Sequence, residues 1–359
     1  MNRPKVVHFT SSLKRGGAEG ILYSLVAGLQ DSFEQTVLYI HDGPYRHKLD
    51  ALGIKCIKIG GVFHTYDPGI FIRLYRELRR IRPHLMHTLL WAATVTGRVV
   101  GRLLAIPVVS IYHGNVDQDG LIRNIADRYT LSLSKNGAVS PGVVKSIHAS
   151  LAKVPVMVIP NGIACKELSA SVQRSDLGLD RAHFVVGSVG RLVKIKRFDV
   201  LLDAFMLIYK AHPEARLCLI GVGPELENLQ EQARRLGVFQ KVLFLVDVPA
   251  VDYYHLFDCF VLPSPREGIS IALLEAMRAR VPVVVVCQEQ HPVVQHEHNG
   301  LVALYADAAE IMHAIDRLMR DEVEAHRLAD EGLKVLNRSF NRNVMISKYS
   351  QLFHAEMRH

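Results

Sequence analysis

The sequence predicts an α/β protein with two doubly wound domains, each built on a parallel β-sheet that lies between layers of helices. Strand-like and helical segments alternate along the whole chain, and many of the strands are continuous runs of Val, Ile and Leu, typical of strands buried on both faces. The length of 359 residues exceeds what one hydrophobic core usually serves. A polar, turn-rich stretch between Ile163 and His183 separates the two series of strands.

Thirteen strands are predicted, seven before this stretch and six after it. In order they are Lys5–Ser11, Gln35–His41, Ile54–Ile59, Leu85–Leu90, Val108–His113, Gly137–Ser140, Val156–Pro160, Phe184–Gly190, Arg216–Gly221, Val242–Val246, Cys259–Pro263, Val281–Cys287 and Gly300–Leu304. We place the domain boundary so that residues 1–165 form the first domain and residues 166–340 the second. The segment 341–357 predicts a final helix that packs back across the domain junction.

Composition and the spacing of apolar residues restrict the class of protein. Hydrophobic residues make up 49% of the chain and charged residues 22%, which is ordinary for a globular protein. No apolar run approaches the roughly 18–20 residues of a membrane span, and the first residues lack the apolar core of a signal peptide. The five cysteines are widely spaced, which argues against a disulfide framework and a structural zinc site. These features favour a reducing, cytoplasmic location.

The positive charge is concentrated in the first half of the chain. The formal net charge is +8, but the first 170 residues carry about ten more basic than acidic side chains, and the remainder is close to neutral. This asymmetry suggests an anionic partner such as a membrane surface, a phospholipid-linked substrate or a nucleic acid. Aromatic residues are 7% and no nucleic-acid recognition motif is present, which argues against nucleic acid.

A glycine pair, Gly16 and Gly17, follows the first predicted strand and precedes a helix. Glycine allows close backbone approach, and the free N–H groups of a helix N-terminus attract anions. The turn therefore either contacts a phosphate or a sugar or is an ordinary strand-to-helix turn. The chain has neither a G-x-G-x-x-G fingerprint nor a P-loop, which argues against a dinucleotide-dependent oxidoreductase and a P-loop kinase.

Three segments of the second half lie at the carboxyl ends of predicted strands, where open α/β sheets bind ligands. In the first, Gly190 is followed by Arg191 and Lys196, two cations that either suit a diphosphate or belong to a solvated basic loop. The second is a small-residue turn, with Gly221 and Gly223, that leads into a helix.

The third segment, PSPREGISIALLEAM, contains Glu267 and Glu275. Gly268 allows the backbone to approach a ligand, and a helix that begins near Ser270 offers its N-terminus to a phosphate. Two carboxylates that face one cavity can each accept hydrogen bonds from the hydroxyls of a sugar and a ribose. Alternatively, Glu275 is a helix-surface residue and Glu267 is an acidic residue favoured near a helix N-terminus.

These segments, in this order, resemble the retaining glycosyltransferases of family 4. The resemblance covers essentially the whole chain and is strongest at the E-x7-E signature of Glu267 and Glu275. The other matching segments are GRLVKIK with Arg191 and Lys196, GVGP, RGGAE with its glycine pair, SIYHG with His113, and VIPNGI with Asn161 and Gly162. The resemblance implies the GT-B fold, in which two Rossmann-like domains face a cleft, the first binding the acceptor and the second the nucleotide-sugar donor.

The resemblance also implies roles for individual residues. Glu275 would hold the nucleotide ribose, Arg191 and Lys196 would neutralise the donor diphosphate, and Glu267 with the backbone after it would orient the sugar. His113 would lie near the transferred sugar and the acceptor, which completes an implied catalytic set of His113, Glu267, Arg191 and Lys196. The implied donor site comprises Gly16, Gly17, Gly190, Arg191, Lys196, Gly221, Gly223, Glu267, Gly268, Ile269, Ser270, Ile271 and Glu275.

The resemblance further implies a reaction without a cofactor or a metal, with a UDP-sugar favoured over a GDP-sugar as co-substrate. Retention is usually explained by attack on the front face of the sugar, with the leaving phosphate taking the acceptor proton. No carboxylate nucleophile is then required, unlike in retaining hydrolases. The one D-x-D sequence, Asp117–Asp119, is interpreted as a loop because its strand ends at His113.

The sequence departs from the family pattern at several positions. The loop after VPVVVVC carries His291 and Pro292 instead of a glycine pair, which leaves the donor contact of that loop open. Ala164, Gly20 and Arg197 stand where the family commonly has Asp, Arg and Gly. The set of Glu, Arg and Lys residues remains, so we expect an active enzyme.

The segment GIFIRLYRELRRIRPH predicts an amphipathic helix with Ile70 and Leu74 on its apolar face. Its arginines, which include Arg73, Arg76 and Arg80, either face solvent or dock on an anionic lipid surface, at about 1 kcal/mol per basic residue. The next helix adds a further basic pair, Arg98 and Arg102.

The leading interpretation is a cytoplasmic glycosyltransferase, peripheral on the inner face of the cell membrane. It would act on a lipid-linked or polysaccharide intermediate of cell-surface glycan synthesis. A nucleotide-sugar epimerase or a phosphorylase of the same architecture is the alternative, and it predicts turnover without a separate acceptor or with phosphate as acceptor. The GGAE and PNGI segments speak against that alternative.

Overall fold

The structure, a computed structural model, describes residues 3–59, 67–116, 120–164 and 171–358. Its strands are β1 (Lys5–Ser12), β2 (Glu34–His41), β3 (Lys55–Lys58), β4 (Leu85–Leu89), β5 (Val108–Tyr112), β6 (Lys135–Ala138), β7 (Val156–Val158), β8 (Phe184–Val189), β9 (Ala215–Ile220), β10 (Val242–Leu245), β11 (Cys259–Leu262), β12 (Val283–Val286) and β13 (Leu301–Ala303). Its helices are α1 (Gly17–Gly28), α2 (Tyr45–Ala51), α3 (Gly69–Ile81), α4 (Trp91–Leu103), α5 (Leu121–Thr130), α6 (Pro141–Ser150), α7 (Phe198–Ala211), α8 (Leu226–Arg235), α9 (Ile271–Arg278), α10 (Ala308–Arg320), α11 (Glu322–Ser339) and α12 (Arg342–Glu356).

The strands form two parallel sheets. One has the order β3-β2-β1-β4-β5-β6-β7 and the other the order β10-β9-β8-β11-β12-β13. Each order reverses beside its first strand, as in doubly wound folds. β11 and β12 are buried along their whole length, which explains why they appear in the sequence as continuous apolar runs. The predicted α/β class with two Rossmann-like sheets is confirmed, and each predicted strand has a counterpart whose ends differ by at most two residues.

The chain divides into two compact units, Met1–Ala164 together with Asn341–His359, and Cys165–Phe340. The predicted boundary between residues 165 and 166 falls in the range 165–170, outside the described residues. The chain leaves the first unit just after Ile163 and returns at Asn341, and a parallel bridge joins these two residues. A Cβ on Gly162 would overlap the carbonyl of Asn341, so glycine is required for this close approach.

The last helix of the chain, α12, belongs to the first unit. It begins after Asn341, whose side-chain oxygen accepts a hydrogen bond from the N–H of Val344 at 3.0 Å. The helix packs on α1 and buries Tyr349 and Phe353. The rings of both residues lie edge-on or tilted against His87 of β4, which makes α12 the cover of a buried aromatic cluster.

Two histidines are fully buried beneath α12. His8 of β1 and His87 of β4 approach each other through their Nδ1 atoms at 3.1 Å, and Nε2 of His8 lies 3.0 Å from the side-chain oxygen of Gln35. Burial lowers the pKa of His8 to about 4, opposed by the hydrogen bond to Gln35. Burial, together with the neighbouring His8 and His113, lowers the pKa of His87 well below its ordinary value. Both rings are therefore neutral at pH 7.

A buried ion pair joins helices α4 and α5 of the first unit. The guanidinium of Arg98 on α4 is fully buried and pairs with Asp127 of α5. It also donates hydrogen bonds to Ser134 at 2.7 Å, to the hydroxyl of Tyr112 at 2.9 Å and to Asn136 at 2.6 Å. Arg98, predicted with Arg102 as a further basic pair, lies on α4 as expected but does not contribute to the exposed charge, because each nitrogen of its guanidinium has a partner inside the unit.

Helices α3, α4 and α5 form one layer, since α3 packs on α4 and α4 packs on α5. The apolar side of α3 is buried as its periodicity predicts, with Ile70 and Leu74 at 2% or less exposed. Across the described ranges, no helix combines the length and the mean hydropathy of a membrane span.

The first prediction concerns the buried ion pair. R98M leaves the carboxylate of Asp127 buried without its counter-charge, so the free energy of unfolding of the first unit should fall by about 3–5 kcal/mol. Urea unfolding followed by the fluorescence of Trp91 measures this, because Trp91 is the single tryptophan of the chain and lies in that unit. The control R102M removes an exposed arginine of the same helix and should change stability by less than about 0.5 kcal/mol. Equal stabilities for the two variants would contradict the assigned role of Arg98.

The second prediction concerns pH. The folded-state pKa of a buried histidine lies below its unfolded value near 6.5, so its stabilising contribution is complete above that value and is lost as the pH falls towards the folded-state pKa. Between about pH 7.5 and about pH 5.5, each such histidine should lower the free energy of unfolding by about 1.4 kcal/mol. H87F should reduce this pH-dependent loss by that amount in the same Trp91 assay. H47N, which replaces an exposed histidine of the first unit, should leave the loss at its wild-type size. An unchanged loss in H87F would refute the neutral buried state.

Candidate functional site

The loops that follow β8 and β11 lie side by side, because these two strands are paired in the second sheet. The loop after β8 carries Lys196 and the loop after β11 carries Glu267. The ammonium of Lys196 forms an ion pair and a hydrogen bond with Oε1 of Glu267, although 71 positions separate them. The hydroxyl of Ser264, a buried residue, also donates to this carboxylate oxygen. The side chains of Lys196 and Glu267 remain 21% and 15% exposed, so solvent reaches the pair.

Arg197, which stands where the family commonly has glycine, directly follows Lys196 and has a backbone conformation that favours glycine. Residues Lys194–Lys196 form a short 3-10 helix, and Arg197 follows with φ 54° and ψ 36°, in the left-handed region that glycine adopts most easily. The Nε of Arg197 donates to the carboxylate of Asp199 at 3.2 Å. The side chain is therefore directed to the first turn of α7.

Arg191 lies just after β8 with its side chain exposed, and this side chain makes no hydrogen bond or ion pair within the described residues. Its guanidinium is therefore available to an anionic ligand.

The predicted glycine positions of this region have a packing role. A Cβ on Gly221 would overlap the carbonyl oxygen of Gly190, and a Cβ on Gly223 would overlap the backbone of Leu192. These two glycines allow the loops after β8 and β9 to lie in contact, and the N–H of Leu192 donates to the carbonyl of Val222 at 2.9 Å. Close packing of the two loops is therefore sufficient to explain why both positions are glycine, whether or not a ligand also contacts them.

The E-x7-E segment forms a loop and the helix α9. Gly268 and Ile269 are buried, and Ser270 is the N-cap, whose Oγ accepts a hydrogen bond from the N–H of Leu273 at 3.4 Å. The helix begins at Ile271. The N-terminus of α9 therefore follows four residues after Glu267, at the carboxyl end of β11.

Glu275 lies in the middle of α9 and is partly buried. Burial raises the pKa of its carboxyl group, while a hydrogen bond from Tyr254 and the charge of Arg278 act in the opposite direction. The hydroxyl of Tyr254 donates to Oε2 of Glu275 at 3.0 Å. Tyr254 is fully buried against Phe257 and Phe260, so the carboxylate is held by a fixed donor.

Sequence reasoning missed Ser264 and Tyr254. Ser264 precedes Glu267 by three residues in the same loop, a spacing that allows a hydroxyl to bond a carboxylate. Tyr254 belongs to the short 3-10 helix Tyr254–Leu256, and nothing in its local sequence distinguishes it from its neighbour Tyr253.

In the first unit, the glycine pair stands at the start of α1. Gly16 is the N-cap in an extended conformation, and Gly17 is the first helical residue. A Cβ on Gly16 would overlap the carboxylate of Glu19, so Gly16 gives space to the acidic residue of the first turn. Gly20 similarly faces the hydroxyl of Tyr45. The RGGAE segment is therefore a helix start at which Gly16 leaves room for the side chain of Glu19.

His113 directly follows β5. Both of its ring nitrogens are buried, and within the described residues neither makes a well-formed hydrogen bond. Burial lowers its pKa to about 4, opposed by an interaction with Asn161. The ring is thus neutral at pH 7, with hydrogen-bonding capacity on both nitrogens.

The three arginines predicted to contact lipid differ in their surroundings. Arg73 pairs with Asp67 at 2.6 Å and donates to the carbonyl of Ile59 at 2.7 Å, which fixes the start of α3. Arg80 pairs with Glu77. Arg76 is exposed and, among the residues that the structure describes, has no partner.

The loop after β12 is stabilised by His291. Its Nδ1 accepts hydrogen bonds from the N–H groups of Val293 and Val294 at 3.2 and 2.9 Å. Burial lowers the pKa of His291 to about 4, which keeps Nδ1 unprotonated for this role. An imidazole therefore organises this loop, which has no glycine pair.

No group of three or more His, Cys, Asp or Glu residues in the described ranges is arranged to hold a metal ion. The segment Asp117–Asp119, interpreted from the sequence as a loop, lies outside the described residues. Cys56, Cys218, Cys259 and Cys287 are free thiols.

Two family profiles match adjacent parts of the chain. Residues 15–167 match the family described as Glycosyltransferase Family 4, and residues 170–335 match the family described as Glycosyl transferases group 1. The first match covers most of the first unit, and the second covers nearly all of the second unit.

Individual proteins show the same similarity. The lipopolysaccharide core biosynthesis glycosyltransferase LpsD of Rhizobium meliloti is 28% identical over 355 residues, which cover 97% of this chain and 98% of that protein. An Escherichia coli protein, UDP-Gal:alpha-D-GlcNAc-diphosphoundecaprenol alpha-1,3-galactosyltransferase, is 25% identical over 72% of each chain. Alignments to several other curated relatives are shorter, and one spans 39% of the relative's length.

Among solved structures, Alr3699/HepE of Anabaena in complex with UDP-glucose superposes with a TM-score of 0.87 at 20% identity, covering 98% of this chain and 99% of that one. This similarity supports the GT-B fold. The chain belongs to the group 1, family 4-type glycosyltransferases of GT-B fold.

Proposed function

We propose that this glycosyltransferase transfers a sugar, with retention of configuration, from a nucleotide-diphosphate donor to a lipid-linked or polysaccharide intermediate of cell-surface glycan synthesis. The observation that carries the proposal is the convergence of Lys196 and Glu267 at the carboxyl ends of two paired strands. A cation and a carboxylate held together beside the N-terminus of α9 suit a ligand that combines a diphosphate with sugar hydroxyls.

The relatives support the donor and acceptor classes. The Escherichia coli relative is named for UDP-galactose and a diphosphoundecaprenol acceptor, and LpsD is named for lipopolysaccharide core synthesis. HepE was solved with UDP-glucose. We therefore propose a UDP-sugar as donor, no cofactor or metal, and a cytoplasmic enzyme that works at the inner face of the membrane.

The reaction follows from these assignments. The bond between the anomeric carbon and the diphosphate oxygen breaks, and the acceptor hydroxyl forms its new bond on the same face of the sugar. The proton of that hydroxyl passes to the leaving phosphate oxygen. Arg191 and Lys196 stabilise the charge that grows on the diphosphate, and Glu267 shares its hydrogen bonds between Lys196 and the sugar.

Glu275 and His113 complete the proposed site. The carboxylate of Glu275, held by Tyr254, accepts hydrogen bonds from the ribose hydroxyls of the donor. The neutral imidazole of His113 contacts a sugar or acceptor hydroxyl, since a neutral ring can donate through one nitrogen and accept through the other.

The epimerase or phosphorylase alternative has no comparable support, because the relatives named above are transferases.

A thermal-shift panel of UDP-, GDP-, ADP- and TDP-sugars tests the donor, since a ligand of the folded state raises its stability. NMR of the product anomer tests retention. An inverted anomer, or turnover of the donor sugar without an acceptor, would refute the proposed reaction.

Substitution of Lys196 or Glu275 gives the third prediction. K196A and E275A should each lower kcat/KM by about 10²–10³-fold, because each removes a contact to the donor in the transition state. The matched control is K194A, which removes an exposed lysine from the same 3-10 turn and should keep the wild-type rate. Wild-type rates in both K196A and E275A would remove the basis of the site assignment.

Tyr254 provides the fourth prediction, as a positioning residue for Glu275. Y254F keeps the buried ring but removes the donor to Oε2, so the pKa of Glu275 should rise further and donor affinity should fall by about tenfold. Because protonation of Glu275 removes part of its acceptor capacity, the affinity of Y254F should begin to decline, as the pH falls, at a higher pH than that of the wild type. Calorimetric titration with the donor from pH 5 to pH 8 measures both effects. A uniform loss with an unshifted pH profile would indicate a packing defect alone.

A further inference from the structure

Helix α5 has an inverted distribution of polar and apolar side chains. Its inward side carries Asp127, which is 3% exposed and pairs with the buried Arg98. Its outward side carries Ile122, Ile125 and Tyr129, which are 78%, 46% and 81% exposed. A surface helix of a globular protein normally shows the opposite arrangement, because burial of its apolar side chains stabilises its packing. The outward side of α5 therefore has the composition of a surface that is covered by something else.

The three outward apolar side chains form one stripe. Residues at positions i, i+3 and i+7 of a helix share a face, and Ile122, Ile125 and Tyr129 have this spacing. Two exposed arginines lie beside the stripe: Arg128, and Arg123, whose guanidinium stacks on the ring of Trp91 at 5.4 Å. The acidic residue of the helix is turned inward. The stripe is thus apolar, and its border is positive.

Exposed apolar and basic side chains also occur on α4 and α3, the other two helices of this layer. α4, which packs on α5, ends with exposed Arg102 and with Leu103, which is 70% exposed. On the other side of α4, the first turn of α3 exposes Phe71 and Ile72 at 37% and 57%, and the arginines of α3 follow. The two acidic side chains nearest to those arginines, Asp67 and Glu77, are already paired with Arg73 and Arg80. The exposed charge of this layer is therefore mainly positive.

We propose that the outward side of α5 docks on an anionic lipid bilayer, with Ile122, Ile125 and Tyr129 in the headgroup region and the arginines of the layer against lipid phosphates. Isoleucine and tyrosine suit an interfacial helix, and basic residues at its border suit anionic headgroups. The inference rests on the proposed function and deepens it, because it names the surface of the first unit that meets the membrane carrying a lipid-linked acceptor. It assigns insertion to α5 and leaves α3 an electrostatic role.

A second copy of the chain fits this surface less well than a bilayer does. A symmetric contact through α5 would bring the same patch of both copies together, and with it the positive border of each. Like charges at such a contact oppose association. A bilayer with anionic lipids instead supplies phosphates to the arginines and an apolar interior to the stripe.

The test is co-flotation of the full chain with vesicles, without donor or acceptor. The wild type should bind vesicles of phosphatidylcholine with phosphatidylglycerol, and high salt should weaken this binding. The triple variant I122S/I125S/Y129S should bind at least about tenfold more weakly. The control L304S/Y305S/V323S replaces three apolar residues of the second unit with similar exposure, 55%, 57% and 81%, and should bind as the wild type.

Three further measurements separate insertion from other effects. Y129W should be quenched by brominated lipids well beyond the wild-type background of Trp91, whereas V323W should not. The thermal shift of the triple variant with its nucleotide sugar should equal that of the wild type, so loss of vesicle binding is distinguishable from failure of the donor assignment. Urea unfolding followed by Trp91 should show that the variant is folded.

Three results would overturn the proposal: a wild type that does not float with anionic vesicles, a triple variant that floats as the wild type does, or equal binding to vesicles of phosphatidylcholine alone. Sedimentation that shows a dimer of the wild type and a monomer of the triple variant would assign the stripe to a second copy instead.

Discussion

Parallel pairing of β8 with β9 on one side and β11 on the other is the constraint on which the proposed donor site depends. Parallel strands end at the same edge of a sheet, so the loops that follow them are neighbours whatever their distance along the chain. Contact between these loops requires backbone without side chains at Gly221 and Gly223. Once the loops are in contact, Lys196 meets Glu267 and the start of α9 lies beside them. The glycines thus allow the loops to pack together, and the charged residues on those loops are then in position to bind a ligand.

Two ion pairs, one in each unit, have different roles. Arg98 and Asp127 are sealed from solvent and surrounded by further donors and acceptors, so their interaction is permanent and its role is to fix α4, α5 and the end of β5. Lys196 and Glu267 are partly exposed and have capacity for other partners. A ligand can share or exchange the second pair without unfolding anything. Burial, more than residue type, separates a structural charge pair from one suited to binding.

Much of this organisation could be predicted from the sequence. The buried runs of Val, Ile and Leu identify many of the strands, because a strand covered on both faces does not alternate between polar and apolar residues. The fold class follows from the regular alternation of these strands with helices. Tyr254 and the role of Arg98 could not be predicted in this way. Arg98 has the local sequence of a surface arginine, and only the convergence of α4, α5, β5 and β6 supplies its partners. Tyr254 reaches Glu275 across 21 positions through a contact without periodicity. Residues whose role depends on polar contacts with partners distant in the sequence are not marked by any pattern in the neighbouring residues.

The placement of α12 has a consequence for biosynthesis. The first unit contains the start of the chain and also its final helix, while the second unit is contiguous. During translation, β1 and β4 leave the ribosome long before the helix that covers His8 and His87. The nascent first unit therefore exposes an apolar and aromatic surface until α12 emerges, and the second unit can complete its fold earlier. Loss of α12 therefore damages the unit whose strands are synthesised first, although the helix itself follows the whole second unit in the sequence.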